Sequence, residues 1–429
     1  MPRYLPSNRN SRAKRILSTL FAASFLMLLS TRWSVAQNDS EKVIHIFQGD
    51  SSPGGASPWD GVVVDSAGNV YGGALYGGLY NGGLIFKMSP NGDGTWAETA
   101  AHNFDDSDYN DGAGPLGGLV FDSAGNLYGT TIGGGEYNAG VAFELKPGAH
   151  GRWVETILHN FGGYSDGTEP RSTMILDASG NLYGTTSEGG ANGQGIVFEL
   201  SRNSAGEWQE TILYNFTLSD GGDGFSAQPL AFDKSGNLWG TVEVGGAYGF
   251  GEIYELSPGS GGGEWLETVV HNFANGSDGE YPDGGLLLDA HGNFYGTTAQ
   301  GGTGYHGTIF ELSPSVGGGW SLNTLHNFTG FDGEGPVGNL TFGPSGSLYG
   351  ATQAGGEFGQ GSVYVLKPAA GGAWNLLTLH SLRGAQEGCG PDAGVSLDSA
   401  GNLYDAALYC GIAQGSYGVG TVFEIVLAQ

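Results

Sequence analysis

A nine-residue phrase, SAGNLYGTT at residues 123–131, recurs along the chain at a nearly constant spacing. Successive copies of its aromatic residue are separated by 57, 55, 56, 56, 54 and 55 residues. These seven residues are Tyr71, Tyr128, Tyr183, Trp239, Tyr295, Tyr349 and Tyr404. A sustained period in this range is typical of repeat architectures, in which each copy forms one supersecondary unit. The period therefore constrains the fold more than any other feature of the sequence.

Each repeat has the pattern of four short β-strands. In the second copy, the segments GGLVFD, LYGTT, VAFELK and WVETILHNF are rich in β-branched and aromatic residues, and glycine-rich loops separate them. No segment shows a convincing 3.6-residue apolar period. The sequence therefore predicts an all-β fold, a seven-bladed β-propeller with four-stranded blades.

The two ends of the repeat region complement each other. The last repeat stops after TVFEIV at residues 421–426 and lacks the WxETxLHNF segment. Residues 41–47, EKVIHIF, form an unattached copy of that missing segment. We expect residues 41–47 to join the last blade as its fourth strand, because this closes the ring and removes exposed sheet edges.

Residues 1–36 have the layout of a secretory signal peptide. A basic start is followed by a mostly apolar run at residues 16–29 and by the small-residue sequence Ser34-Val35-Ala36. An uncleaved amino-terminal anchor is the alternative. We expect residues 37–429 to form the mature propeller domain, without a membrane span. Its expected location is secreted, extracellular or associated with the cell surface, with the periplasm as a further possibility.

The charge of the mature chain limits its partners. Residues 37–429 contain nine basic and 43 acidic residues, a net charge of −34. Such a surface repels nucleic acid and anionic lipid and favours neutral, cationic or metal-bridged partners. The same charge would also simply keep the protein soluble. We expect a monomer that does not bind nucleic acid.

The segments GNLYGTT, GGxxxxGxVFEL and WxETxLHNF together resemble the GloVer (Gloeo/Verruco) tandem-repeat family of exported bacterial proteins, also called choice-of-anchor repeat proteins. The resemblance covers essentially the whole mature chain. It implies a secreted or cell-surface location and supplies no catalytic residues. Some members end in an anchoring tail, and this sequence shows none before Gln429, so anchoring stays open. The PxxGLxxDxxGNLY rhythm is similar, more weakly, to NHL and strictosidine-synthase-like propellers.

Two sets of repeated polar residues are given structural roles. An aspartate heads the turn in six copies, where it is expected to accept backbone N–H bonds. These are Asp65, Asp122, Asp177, Asp233, Asp289 and Asp398. A histidine recurs in the fourth strand of six copies: His45, His102, His159, His271, His326 and His380. Symmetry-related positions in that strand are too far apart to share one metal ion, so we expect hydrogen bonding between blades.

The loops between blades carry acidic residues followed by glycine. They are Asp111, Asp166, Asp278, Asp332 and Glu387, with Asp220 and Asp223 in the irregular fourth repeat. A calcium-binding rim is one interpretation, but the spacing matches neither an EF-hand nor a GGxGxDxUx repeat. Asp-Gly turns explain the residues without an ion. The sequence thus predicts no cofactor and no metal site, with calcium at these loops left as a possibility.

One face of the predicted ring is rich in aromatic residues. The candidate binding residues are Trp59 and the loop residues Tyr80, Tyr137, Tyr248, Tyr305, Phe358 and Tyr417. The loops between blades add Tyr109, Tyr164, Phe225, Tyr281 and Phe331. Aromatic planes among Asp, Asn and Gly would suit stacking on neutral sugar rings, and aromatics are also enriched at protein interfaces. The alternative is that each ring packs beneath its own glycine-rich loop.

Departures from the repeat mark the expected mouth of the central channel. Near the proline between blades, Arg171 would form a polar pocket with Asp60, Asp283 or Asp392. A salt bridge within the acidic surface is the other interpretation of this arginine. No Ser-His-Asp, Cys-His or HExxH pattern is present, so no catalytic residue is assigned.

Cys389 and Cys410 are the only cysteines, and both lie in the seventh repeat. Their loops are expected on one face of one blade, which predicts a disulfide bond in an oxidising compartment.

The complete sequence favours a secreted or surface binding module for carbohydrate or a surface protein. The alternatives are an exported propeller enzyme, a lyase or hydrolase with a polar site at the channel mouth, and a structural surface repeat protein.

Overall fold

Each repeat folds into one antiparallel sheet of four strands, and the seven sheets form the blades of a β-propeller. The computed structural model describes residues 40–49, 52–108, 110–162, 165–217, 225–259, 265–274, 276–413 and 416–427. The predicted signal peptide, residues 1–36, lies outside them. The described part contains no α-helix, so the prediction of an all-β, seven-bladed propeller is confirmed.

The first strand of each blade lies nearest the centre of the ring and has only two residues in six of the seven blades. In blade order, the first strands are Val63–Val64, Val120–Phe121, Ile175–Leu176, Ala231–Phe232, Leu287–Leu288, Glu334–Phe342 and Ser396–Leu397. The repeated phrase supplies the turn and the second strand. The second strands are Val70–Ala74, Leu127–Gly134, Leu182–Thr185, Leu238–Val244, Phe294–Thr298, Leu348–Ala354 and Leu403–Tyr409.

The third strands are mostly buried, whereas the outer strands begin with alternating partly buried and exposed residues. The third strands are Leu84–Pro90, Val141–Pro147, Ile196–Arg202, Glu252–Ser257, Thr308–Pro314, Ser362–Pro368 and Thr421–Val426. The outer strands are Trp96–Asn103, Trp153–Asn160, Trp208–Asn215, Leu266–Asn272, Trp320–Asn327, Trp374–Ser381 and, for the seventh blade, Ser40–Ile46.

Smaller elements complete the blades. Short strands precede the first strand at Gly112–Pro115, Gly167–Thr168, Phe225–Ala227 and Cys389–Pro391, and Glu188–Gly189 pairs with one of them. Ile412–Ala413 and Ser416–Tyr417 form a small hairpin. Single 3-10 turns occupy Ala149–Gly151, Pro344–Gly346 and Ala370–Gly372. No helix in the described residues is long and apolar enough to cross a membrane.

The amino-terminal strand closes the ring as predicted, one residue earlier than expected. Ser40–Ile46 pairs antiparallel with Thr421–Val426, from Ser40 opposite Val426 to Ile46 opposite Thr421, with a β-bulge between Val43 and His45. Phe47 follows the strand and is completely buried between the seventh and first blades. The first and last segments of the propeller are therefore held together by a sheet ladder and by the apolar core.

The hydrophobic core consists of seven clusters, each between consecutive blades. The glycine of the repeated phrase is needed for this packing. A Cβ atom on Gly129 would lie 2.6 Å from Cζ of Phe143 on the neighbouring third strand. Such a contact is well inside van der Waals distance, so only glycine leaves room for the ring. The same close approach recurs in the first six blades.

The aspartate of the repeated turn has the predicted structural role. Asp122 Oδ1 accepts the backbone N–H groups of Ala124 and Asn126, and Oδ2 accepts the Asn126 side-chain amide at 2.8 Å. Tyr128, the aromatic residue of the phrase, donates its hydroxyl to Glu144 Oε1 at 2.9 Å, and the same hydroxyl lies 3.2 Å from Asp122 Oδ2. Gly125 has a φ of 84°, which completes the turn. The repeated phrase thus holds its turn in place through Asp122 and links it through Tyr128 to Glu144 on the third strand.

Cys389 and Cys410 form a disulfide bond, which confirms the predicted pairing. The bond links the loop before the seventh blade to the loop after its second strand, and the two cysteines are 21 positions apart in the sequence. Cys410 has a φ of 62°, a conformation that the glycines at equivalent positions adopt without strain. The bond therefore holds a loop conformation that the sequence alone disfavours.

Replacing both cysteines by serine is expected to lower the free energy of unfolding by about 3 kcal/mol, the loop-closure entropy of a crosslink of this span. Urea titrations of the two proteins, each with and without a reductant, measure the difference. The reductant should destabilise the original chain and leave the C389S/C410S variant unchanged. Equal sensitivity of both proteins to reductant would contradict the assignment.

Candidate functional site

A cavity of about 310 Å³ lies on the axis of the ring and is lined by residues of all seven blades. Asp60, Arg171, Asp283 and Asp392 all line it, so the structure brings together the four residues predicted to form a polar pocket, and the aromatic candidate Trp59 lines it as well. They come from the loops that enter the first strands, which converge here because the first strands are innermost. Glutamine, asparagine, serine and threonine side chains complete a mainly polar wall.

Three aspartates give the cavity its electrostatic character. Burial raises the pKa of Asp60 to about 7, and the charge of Asp392 adds to the effect. Hydrogen bonds from the Gly61 N–H at 2.7 Å and from Thr173 oppose that shift without outweighing it. Burial likewise raises the pKa of Asp283 to about 7, with contributions from Glu243 and Asp392. Near neutral pH, these carboxyl groups can both donate and accept hydrogen bonds.

Asp392 is the most easily ionised of the three aspartates. Burial raises its pKa to about 6, while a hydrogen bond from Gln353 Nε2 at 2.8 Å partly offsets that rise. Because Asp392 also raises the pKa values of Asp60 and Asp283, its ionisation makes the other two harder to charge. The three aspartates of the cavity therefore become protonated as the pH falls from about 7 to about 6.

Arg171 lines the cavity but pairs with a residue outside the predicted set. Its Nη2 lies 2.5 Å from Oε2 of Glu169, two residues earlier in the same loop, and the arginine side chain is exposed. Arg171 therefore forms a salt bridge with Glu169, as the second interpretation of this arginine expected. Its exposed guanidinium at the cavity mouth is also accessible to a ligand.

Asp405 is a buried carboxylate that the sequence interpretation missed. It replaces the glycine that the phrase carries in the other six copies, and it lies opposite Phe423 on the third strand. The side chain is completely buried; Oδ1 accepts the Ala406 N–H at 2.7 Å, and Oδ2 has no hydrogen-bond partner among the described residues. Burial, with Asp392 and Asp60 contributing, holds the pKa of Asp405 well above its ordinary value. Loss of the repeated glycine is the sequence signal that identifies it.

Five of the predicted aromatic residues are exposed in equivalent loops on one face. Tyr80, Tyr137, Tyr248, Tyr305 and Phe358 occupy the loops between second and third strands, with exposed fractions from 43% to 72%. Those loops lie beside the loops between blades; for example, the Glu169 N–H donates to the Ala139 carbonyl. The aromatic residues therefore belong to the face on which the axial cavity opens.

The remaining predicted aromatic residues fall into two groups. Trp59 lines the cavity and is 38% exposed, and Phe331 is strongly exposed, whereas Tyr281 is half-buried and packs against Phe250. Tyr109 and Tyr164, together with the side chains of Phe225 and Tyr417, lie outside what the structure describes. Asp220 and Asp223 of the irregular fourth loop also lie outside it.

The acidic residues of the loops between blades bind backbone and histidine groups. Asp166, for example, accepts the Gly162 N–H at 3.0 Å and the Gly167 N–H at 2.7 Å, and it lies 3.1 Å from Nε2 of His159. His159 also lies 3.7 Å from Oε2 of Glu210 on the next blade. The outer-strand histidine thus bridges two blades, as predicted, but its carboxylate partners were not recognised from the sequence.

Comparison with known proteins supports the repeat architecture. A family model described as the Gloeobacter/Verrucomicrobia repeat matches residues 30–226 and 170–423. No curated protein matches the sequence. Among solved structures, the extracellular domain of a candidate hybrid two-component system from B. thetaiotaomicron has a TM-score of 0.51 at 12% identity. That match covers 88% of this chain and 39% of the other protein.

Two further solved structures are similar at lower TM-scores. A candidate oxidoreductase (glucose dehydrogenase) from Thermus thermophilus has a TM-score of 0.43 at 19% identity, over 73% of this chain and 96% of its own. A protein of unknown function from Dyadobacter fermentans has a TM-score of 0.44 at 11% identity, over 90% and 99% of the two chains. At these identities, the likeness concerns the fold alone.

Proposed function

This chain belongs to the Gloeobacter/Verrucomicrobia repeat family, and we propose that it is an exported binding module for neutral carbohydrate. The observation that carries the proposal is the set of exposed aromatic rings around a polar axial cavity on one face of the ring. The disulfide in the closing blade and the predicted signal peptide support an extracellular or periplasmic location.

The chemistry of this face suits a ligand rich in hydroxyl groups. Exposed aromatic planes stack on the apolar faces of sugar rings, and the exposed rings recur in equivalent loops of one face. Asp60, Asp283 and Asp392 supply hydrogen-bonding groups at the centre of the face. The strong negative charge of the chain disfavours anionic ligands, which leaves neutral glycans as the best match.

Replacing Tyr248 and Tyr305 by alanine is expected to weaken glycan binding about tenfold for each ring, because each substitution removes one stacking plane. A neutral-glycan array identifies the ligand, and calorimetry on the hit measures the change. Val316→Ala, at an exposed turn between a third and an outer strand, is the matched control and should bind as the original chain does. Absence of binding to every neutral glycan, or unchanged binding by both tyrosine variants, would reject the proposal.

A second function is favoured by the raised carboxyl pKa values in the cavity. Groups that titrate near pH 7 suit general acid and base catalysis, so Asp60 and Asp283 would serve an exported lyase or hydrolase. Incubation of the array hit with the protein separates the two functions. Cleavage of the glycan that is abolished in Asp60→Asn or Asp283→Asn would indicate an enzyme, whereas recovery of intact glycan indicates a binding module.

A further inference from the structure

Three outer seams between blades each bring one histidine and two carboxylates together. The seam between the first and second blades holds His102, Asp111 and Glu155. The next seam holds His159, Asp166 and Glu210, and the seam between the sixth and seventh blades holds His380, Glu387 and Glu41. In each set the three ligand atoms lie within 4.8 Å of one another. The histidine comes from one blade, a carboxylate from the connecting loop, and the glutamate from the next blade.

The distances within these sets match those between ligands of one metal ion. Nε2 of His102 lies 3.3 Å from Asp111 Oδ1 and 3.5 Å from Glu155 Oε2. The corresponding distances from His159 are 3.1 Å and 3.7 Å. Two ligands about 2.0 Å from a tetrahedral ion are separated by about 3.3 Å. Small side-chain movements would therefore place all three atoms around one ion.

Each set retains an unused buried oxygen. Oε1 of Glu155, of Glu210 and of Glu41 is buried and has no hydrogen-bond partner in the described part of the chain. The side chain of Glu41 is only 10% exposed. Bringing two carboxylates together away from water is costly unless a cation balances their charge. The geometry therefore calls for a cation at each seam, either a proton or a metal ion.

We propose that these three seams bind a divalent transition-metal ion of the zinc class, held by one imidazole nitrogen and two carboxylates. This donor set suits zinc, because Zn²⁺ takes histidine nitrogen and carboxylate oxygen in a four-coordinate site. Calcium prefers six to eight oxygen ligands and disfavours imidazole. Each ion would join consecutive blades, and the ion on Glu41 would fasten the amino-terminal strand that closes the ring.

The third seam is expected to bind most weakly. Arg383 Nη1 lies 3.1 Å from Oε1 of Glu387 and already balances part of the charge there. Nε2 of His380 is also farther from its partners, at 3.4 Å from Glu387 and 4.0 Å from Glu41. The first two seams have no such arginine among their ion pairs in the described residues.

Other seams of the same ring provide natural controls. His271 lies 3.0 Å from Asp278, but Leu322 occupies the position of the third ligand on the next blade. His326 and Asp332 face Leu376 at the equivalent position. At another seam, Tyr214 replaces the histidine, and its hydroxyl donates to Glu267 at 3.0 Å. Incomplete sets within one fold therefore allow each ligand to be tested without disturbing the architecture.

The test is equilibrium dialysis of the tag-free chain against Zn²⁺ at pH 7.5, with bound metal measured by mass spectrometry. We expect two tight equivalents and one weaker equivalent per chain. Glu155→Gln and Glu210→Gln should each weaken one tight site by at least about 10- to 100-fold, because replacing residues that merely hydrogen-bond to metal ligands already has an effect of that size, with no change in circular dichroism. His102→Tyr, which copies the arrangement at Tyr214, should abolish one site and retain the fold. Dialysis against Ca²⁺ in parallel should show no binding at these seams.

Two further variants sharpen the outcome. His271→Ala removes a histidine from an incomplete set and should leave the zinc content unchanged. Leu322→Glu completes that set and should add one equivalent. Zinc content that is unaffected by the Glu155, Glu210 and His102 variants, or the absence of bound zinc, would overturn the proposal and leave protons as the cations of these seams.

Discussion

A chain that begins at residue 48 is expected to lose the cooperative fold of the ring. The deletion removes the outer strand of the seventh blade, Ser40–Ile46, and leaves the ladder partner Thr421–Val426 as an exposed edge. It also removes Phe47, which is fully buried between the first and seventh blades. Loss of a buried phenylalanine alone costs roughly 3–5 kcal/mol. With the strand, the loss is comparable to the whole stability of an ordinary domain, about 5–15 kcal/mol.

Thermal unfolding and size-exclusion chromatography measure this effect. We expect the truncated chain to aggregate through the exposed edge strand and to show no sharp unfolding transition. The matched control moves residues 39–47 behind Leu427 and joins them through a copy of the turn at residues 91–95, which links the third and outer strands of the first blade. This permuted chain should unfold as the original does. A truncated chain that keeps the original transition would show that the closing strand contributes little.

The architecture was predictable because its determinants are local and repeated. The aromatic residue and turn of each phrase recur every 54–57 residues, so counting Tyr71 to Tyr404 counts the blades. The pairing of residues 41–47 with the last blade was predictable because these residues copy the outer-strand sequence that the last repeat lacks. The disulfide followed from the two cysteines falling in loops of one repeat, which the topology places on one face.

The candidate site was less predictable because its properties depend on neighbouring blades. Arg171 lines the cavity, but its partner Glu169 lies in the same loop rather than across the axis. Glu155 and Glu210, which reach the outer histidines, lie two residues after the tryptophan of their strands, but their role appears only once adjacent blades are aligned. Asp405 was visible as a departure from glycine, whereas its complete burial required the packing around it.

Asp405→Asn is expected to make the pH dependence of stability less steep between pH 5 and pH 7, while the buried carboxyl groups of Asp60 and Asp283 keep their own contributions. Burial raises the pKa of Asp405 well above its ordinary value, so the folded state keeps a proton that the unfolded state releases. Stability from such a group is fully present below the unfolded pKa and is lost as pH rises toward the folded pKa. A group that stays protonated only in the folded state contributes a slope of about −1.4 kcal/mol per pH unit. The uncharged asparagine should remove that slope, which urea titrations at pH 5, 6 and 7 measure.

The aspartate of a repeated turn gives the opposite dependence and serves as the control. Partial burial raises the pKa of Asp65, but hydrogen bonds from Asn69 and Tyr71 outweigh that effect and hold the pKa below its ordinary value. Its contribution is therefore lost as pH falls through the folded pKa, outside the range from pH 5 to 7, and Asp65→Asn should leave the slope there unchanged.

Asp60→Asn/Asp392→Asn should lower the pKa of Asp405, because both carboxylates raise it. If Asp405→Asn keeps the original slope, the carboxyl group is ionised in the folded chain and a counter-charge must balance it.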